Sequence, residues 1–385
     1  MTTTRTRMTT RTPTTTGDPG SAGTPATAGP RTARALRGPG GLSLRIDVRA
    51  CVVVAALLAA ALTAGVVLIG TGDFPIPASE VLRTLVGRGD HGQEFIVREL
   101  RLPRVLVGLL VGACLGLGGA LFQSVSRNPL GSPDVLGLSQ GATAGALTVI
   151  VLFSGSAGAV TLGALAGGLV TGLAIHLLAW KRGVHGYRLV LVGIGVSAVV
   201  TAVNGYIITK ADFVDAARAV VWMTGSLNGR DWTQVWPLLA LFAVLLPLVL
   251  ANARGLRMLE MGDDLSRALG VRVERVRLLM TAAAVLLTSA ATAAAGPVAF
   301  VALTAPQLAR RLTLPRCLNG AGGAPMPGPN LVPSLCMGAA LLVTADWASQ
   351  RAFGADQLPV GVVTGVLGGI HLLWLLVTER RAGRI

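Results

Sequence analysis

The side chains best suited to chemistry stand at the edges of apolar stretches rather than within them. Arg101-Leu102-Pro103-Arg104 sets two guanidiniums ahead of a glycine-studded stretch, where they can snorkel to lipid phosphates or meet acidic groups of another protein. A second candidate surface is Leu259-Glu260-Met261-Gly262-Asp263-Asp264-Leu265-Ser266-Arg267-Ala268-Leu269-Gly270-Val271. There Asp263 or Asp264 can cap a short helix with Leu265, Ala268 and Leu269 on one face, and Gly270 can stop it. Charge mixed with apolar residues at helical spacing suits a protein partner better than bulk water. Ser139, Gln140 and Thr143 carry small polar groups that can hydrogen-bond a passing ligand or bond across helices. No pair of bases, set of metal ligands or nucleophile accompanies these groups, which argues against a membrane-embedded enzyme.

The elements that must position these groups are strongly apolar. A 385-residue chain with 52% hydrophobic and 13% charged residues is too apolar for a water-soluble domain and reads as a polytopic membrane protein. Stretches near the length of about 20 residues that a bilayer crossing needs lie at 51–70, 103–123, 134–153, 157–180, 188–209, 235–252, 277–295, 297–311, 330–349 and 358–377. The eighth of these ten is the shortest. Gly108, Gly112, Gly116, Gly118 and Gly119 in the second predict helices packed closely around a pathway. Inside the spans only His176, His371 and Asp346 are ionisable, each towards an end. An ion-coupled secondary transporter needs such groups near the midplane, so this class is disfavoured.

The formal net charge of +15 is concentrated in the N-terminal tail and in short loops, which the positive-inside rule explains without a nucleic-acid partner. With the N-terminus cytoplasmic, Lys181-Arg182, the stretch 253–277, Arg310-Arg311 and Arg380-Arg381 all face inward, as does the C-terminus. Residues 1–45, rich in Thr, Gly, Pro and Arg, are expected to form a disordered basic cytoplasmic tail ahead of a membrane domain over 46–385. Cys51, Cys114, Cys317 and Cys336 lack the close spacing of a zinc site and read as structural.

Taken in order, several segments are similar to one family. They are the block from Arg101 through Arg127-Asn128-Pro129-Leu130-Gly131-Ser132-Pro133-Asp134, then Leu191-Val192-Gly193-Ile194-Gly195, Gly225-Ser226-Leu227-Asn228-Gly229-Arg230, the 259–271 loop and Ala295-Gly296-Pro297-Val298. Together they resemble the FecCD-type permeases, membrane subunits of ABC importers for ferric siderophores, haem and vitamin B12, over about residues 50–378. The resemblance implies an all-α integral membrane fold of about ten spans with vitamin B12 permease-like, type II ABC importer architecture in the cytoplasmic membrane. It implies a second permease subunit, most often in a heterodimer, two copies of a cytoplasmic ATPase subunit and an extracytoplasmic substrate-binding protein. In that family the loop carrying Leu259, Gly262, Asp263, Asp264, Ala268, Leu269, Gly270 and Val271 would lie in a groove of the ATPase. Arg101, Arg104 and Arg351 would receive acidic side chains of the binding protein, and Ser139, Gln140 and Thr143 would help line the pathway near its inner end. The chain has no Gly-x-x-x-x-Gly-Lys-Ser/Thr loop, so ATP and Mg are expected on the ATPase, with no cofactor bound here. Gly225–Arg230 looks most like the ferric-siderophore branch. Two departures stand out. Pro306-Gln307-Leu308-Ala309-Arg310 replaces the family's Pro-His-Ile-Ala-Arg, and the 312–332 link that follows is longer and glycine-rich.

Overall fold

A computed structural model describes residues 33–37, 43–72, 74–134, 136–180, 186–313, 329–351 and 357–381. Most of the 1–45 tail, Cys317 and most of the 312–332 link lie outside them. Residues up to Val48 form a unit of their own. In it β1 (Ala33–Arg37) pairs antiparallel with β2 (Ser43–Asp47), Ala33 opposite Asp47 and Leu36 opposite Leu44, where the composition suggested irregular chain.

From Val48 onward the chain is helical: α1 (Val48–Gly70), α2 (Ala78–Leu85), α3 (His91–Glu94), a π-helical segment (Phe95–Arg101) that runs into α4 (Leu102–Ser126), α5 (Leu138–Phe153), α6 (Ala157–Ala179), α7 (Gly186–Lys210) and α8 (Phe213–Met223). There follow α9 (Trp232–Ala251), α10 (Ala253–Glu260), α11 (Asp263–Ala268), α12 (Val273–Ala295), α13 (Val301–Thr313), α14 (Leu331–Arg351) and α15 (Val360–Arg381). Each of the ten expected spans coincides with a helix. Among the described residues seven helices are long and apolar enough to cross a membrane, whereas Leu138–Phe153 and Val360–Leu375 are shorter apolar helices. The eighth span is α13, 13 residues long, because its first third is not helical.

α4 is the central helix, packed on α14, α12 and α13. Its apolar span is 83% buried against 17% for α7, so α4 sits in the core and α7 presents most of its surface outward. The glycines explain how α4 fits. A Cβ on Gly112 would stand 2.3 Å from the Gly338 carbonyl oxygen of α14, and one on Gly119 would stand 1.8 Å from that of Ala302 on α13. Backbones this close need hydrogen at the contact, the same reason small residues line helix interfaces in membranes.

Candidate functional site

Two ends of the helical unit carry its polar side chains. At the end where α4 begins, Arg101 donates to the carbonyls of Ile69 (2.6 Å) and Phe74 (2.8 Å) and so holds the chain that leaves α1. Arg104 donates through Nε and Nη2 to both oxygens of Asp346 on α14, at 3.0 and 2.8 Å. Asp346 is 1% exposed and Arg104 17%, so this is an interior ion pair that ties α4 to α14, with Gln350 a third partner at 3.3 Å. A cavity of about 300 Å³ opens beside the pair, with Thr71, Arg101, Arg104, Asn228, Gln350 and Gln357 in its wall. Arg351 is exposed at the end of α14 and is not part of that wall. Asp346 and Gln350 are partners that sequence reasoning missed. The available signal was that a carboxylate within a span needs a partner.

At the same end three irregular turns are stitched together. Ser226 N–H donates to the Ala295 carbonyl (2.8 Å), and Gly361 N–H donates to that of Gly225 (3.1 Å). Gly225 has φ +68, and a Cβ there would lie 2.2 Å from the Pro297 carbonyl oxygen. The Gly296-Pro297 pair interrupts the helix as expected: α12 ends at Ala295, α13 starts at Val301, and Phe300 between them has φ +66.

The three small polar residues of α5 are all engaged within the chain. Ser139 donates to Asp134 (2.6 Å), Thr143 donates back to the Ser139 carbonyl (2.8 Å), and Gln140 receives Asn204 of α7 on its backbone (3.2 Å) and side-chain (3.3 Å) oxygens. Ser139 and Thr143 are buried, leaving Gln140 the most accessible of the three. In the loop ahead of α5, burial pushes the Asp134 carboxyl up to about 6, against the lowering pull of the Ser139 and Ser132 hydroxyls.

At the opposite end, where α4 stops at Arg127, α10 and α11 form a knob of two short helices with Gly262 between them. Ser266 pins them together, its hydroxyl within 2.6 Å of the Met258 and Gly262 carbonyls. Neither aspartate caps α11. Gly262 occupies the cap position, and Asp263 turns instead to Arg277 of α12, whose Nη2 lies 2.8 Å from both carboxylate oxygens. Arg127 Nη2 approaches the same carboxylate at 3.4 Å. Burial alone would raise the Asp263 carboxyl, but Arg277, Arg127 and Arg267 together hold it below the ordinary carboxylate range. Gly270 ends α11 at φ +80, with Gly270 N–H on the Arg267 carbonyl (2.9 Å) and Val271 N–H on that of Ser266 (3.0 Å), the double bond of a glycine stop.

The knob sorts the expected coupling residues into two groups. Leu259 is 3% exposed and belongs to the core, where it anchors α10. Leu265 (51%) and Leu269 (57%) are exposed beside Met261 and Ala268, an apolar face that the described residues leave uncovered. A groove of about 560 Å³ runs past it, lined by Arg127, Met261, Gly262, Asp263, Asp264, Leu265 and Arg267. Behind the knob, Glu260 has a buried Oε1 without a hydrogen-bond partner among the described residues, and burial raises its pKa against the Ser124 hydroxyl, Arg310 and Arg257. Among the described residues no group of three or more His, Cys, Asp or Glu could hold a metal ion.

Comparison with known proteins places the chain in one family. The FecCD transport family matches residues 57–378. The ferric enterobactin transport system permease protein FepG of Escherichia coli (strain K12) is 45% identical over 84% of this chain and 95% of its own length. The iron(3+)-hydroxamate import system permease protein FhuG of Bacillus subtilis (strain 168) is 37% identical over 80% and 90%. The vitamin B12 import system permease protein BtuC of Escherichia coli O9:H4 (strain HS) is 35% identical over 75% and 85%. A metal-chelate type ABC transporter in an inward-facing conformation has the same fold, with a TM-score of 0.73 at 24% identity over 86% of this chain and 99% of that one. The chain is therefore a multi-pass membrane permease subunit that belongs to the FecCD transport family.

Proposed function

We propose that this permease carries ferric siderophores inward across the cytoplasmic membrane, as one half of a two-permease core. The relatives at 45% and 37% identity are named for ferric enterobactin and iron(3+)-hydroxamate, which supports an iron chelate over vitamin B12. The knob carries the mechanical part of the reading. Its exposed Leu265, Ala268 and Leu269 on a core-anchored base suit a groove in a cytoplasmic ATPase subunit, which binds ATP and Mg and does the hydrolysis. The knob end and both termini are then cytoplasmic, and the Arg101 end faces the substrate-binding protein. There Arg101 and exposed Arg351 present positive charge to acidic side chains, while Arg104 acts through Asp346 to hold the rim they stand on. Gln140, Ser139 and Thr143 lie on the helix that borders the pathway, with Gln140 the residue that can reach cargo.

The deciding experiment is uptake of radiolabelled iron as ferric siderophores in cells lacking this chain and in complemented cells, with labelled vitamin B12 in parallel. Loss and rescue of ferric siderophore uptake is the expected result. Loss of vitamin B12 uptake alone would assign the cargo to the other branch, and loss of neither would refute the reading.

A further inference from the structure

Asp263 is the point at which the knob is fastened to two separate parts of the membrane bundle. One fastening is Arg277, 5% exposed, which bonds both Asp263 oxygens and also reaches Glu274 at 3.2 Å. Arg277 stands near the start of α12, whose far end at Ala295 receives the Ser226 N–H just beyond α8. The other fastening is Arg127. It begins a short loop into α5 that is bonded along its length: Leu130 N–H to Asn128 Oδ1 (2.9 Å), Gln307 to the Pro129 carbonyl (2.8 Å), Asp134 N–H to Ser132 (3.3 Å) and Ser139 to Asp134 (2.6 Å). These bonds tie the segment after Arg127 to α13 through Gln307 and to the start of α5 through Asp134, which gives a displacement of Arg127 a bonded route to α5.

The backbone at Arg127 adds an independent observation. Arg127 ends α4 in the left-handed region, φ +53, with its own N–H on the Ser124 carbonyl and that of Asn128 on the Gln123 carbonyl. Glycine takes this position without strain and an arginine does not. The side chain that the strain accommodates is the one that reaches Asp263.

We infer that Asp263 is the junction that divides movement of the ATPase-facing knob between two arms, Arg277 into α12 and Arg127 into the 128–137 loop and α5. Arg277, 5% exposed, is thus a positioning residue for transport that acts through Asp263, and Arg127, although it also lines the groove beside the knob, acts through the same carboxylate. The inference rests on the proposed role of the knob, but it assigns Asp263 inward and leaves Leu265, Ala268 and Leu269 as the outward contact.

The test uses the whole importer in proteoliposomes and reads three quantities for each variant: ATPase subunit retained on purification, ATP hydrolysis and cargo moved per ATP. Asp263→Asn and Arg277→Gln are expected to retain the ATPase subunit and hydrolyse within about twofold of wild type, while cargo per ATP falls tenfold or more, and Arg277→Lys recovers most of it. Arg127→Gly is expected to melt at an equal or higher temperature, since glycine relieves the turn, yet to lose cargo per ATP several-fold. That divergence of stability and transport is one a purely structural arginine would not give, and it keeps the test decisive where Arg277→Gln folds poorly. Unchanged cargo per ATP in Asp263→Asn and Arg127→Gly would overturn the inference. Loss of the ATPase subunit from Asp263→Asn would overturn it too, by making Asp263 a direct contact. Leu265→Glu probes the knob separately: an ATPase subunit retained in that variant removes the docking role itself.

Discussion

Replacing Arg104 by methionine separates an interior role from a docking role. Asp346 is 1% exposed, its two oxygens take both Arg104 bonds, and its other described side-chain partner is the longer Gln350 contact. Removing the arginine leaves a carboxylate buried beside α4 with most of its hydrogen bonding gone, for which breaking a buried pair sets a cost of about 3–5 kcal/mol. Asp346→Leu alone strands the guanidinium, which at 17% exposure is nearer solvent, so its cost is smaller. The double variant Arg104→Met, Asp346→Leu removes both charges and is expected to recover most of the loss, because replacing a whole buried pair by apolar groups is often neutral. The measurement is denaturant unfolding of the purified chain in detergent, read as a double-mutant cycle with an interaction energy of about 2 kcal/mol or more. A single-variant cost below about 1 kcal/mol, the range of an exposed pair, would refute the argument. So would a double variant as unstable as the sum of the two singles.

Two further perturbations test other parts of the fold. For Glu260 the folded pKa lies above the ordinary 4.5, so the ionised form is disfavoured in the folded state and stability falls as pH rises from about 4.5 through the raised value. Glu260→Gln is expected to remove that fall, melting higher than wild type at pH 7 to 8 and equal to it near pH 4 in a detergent thermal scan. Gly119→Val forces α4 away from the Ala302 carbonyl and is expected to cost about 3 kcal/mol or more, seen as loss of monodisperse protein on size exclusion. Gly195→Ala on α7, with open space around its Cβ, is the matched control and should purify as wild type.

The spans were legible because apolar runs of about 20 residues have few soluble alternatives, and the Gly-Pro break was legible because proline removes a donor. The two-helix knob and its glycine stop could likewise be read from Leu265, Ala268, Leu269 and Gly270. What local reading missed was long-range pairing. Arg104 and Asp346 are far apart in the chain, and nothing in Arg101-Leu102-Pro103-Arg104 says which guanidinium turns inward. The cap of α11 failed for the same reason. Asp263 has cap chemistry, but Arg277 and Arg127 offer it two charges where a cap offers backbone N–H groups. Leu259 was included with the coupling loop by its place in a motif, and the motif did not show that the short α10 turns its side chain into the core.

The stitched turns at the Arg101 end bear on how the chain is made. Their bonds join Ser226 to Ala295 and Gly225 to Gly361, so the N–H of Gly361 at the start of α15 completes a structure whose other parts emerge from the ribosome much earlier. Until that last helix enters the membrane, the Gly225 carbonyl lacks this partner, and an unpartnered backbone group in apolar surroundings is costly. The stitched turns at the Arg101 end are therefore complete only once α15 is in place, well after α8 and α12 have been made.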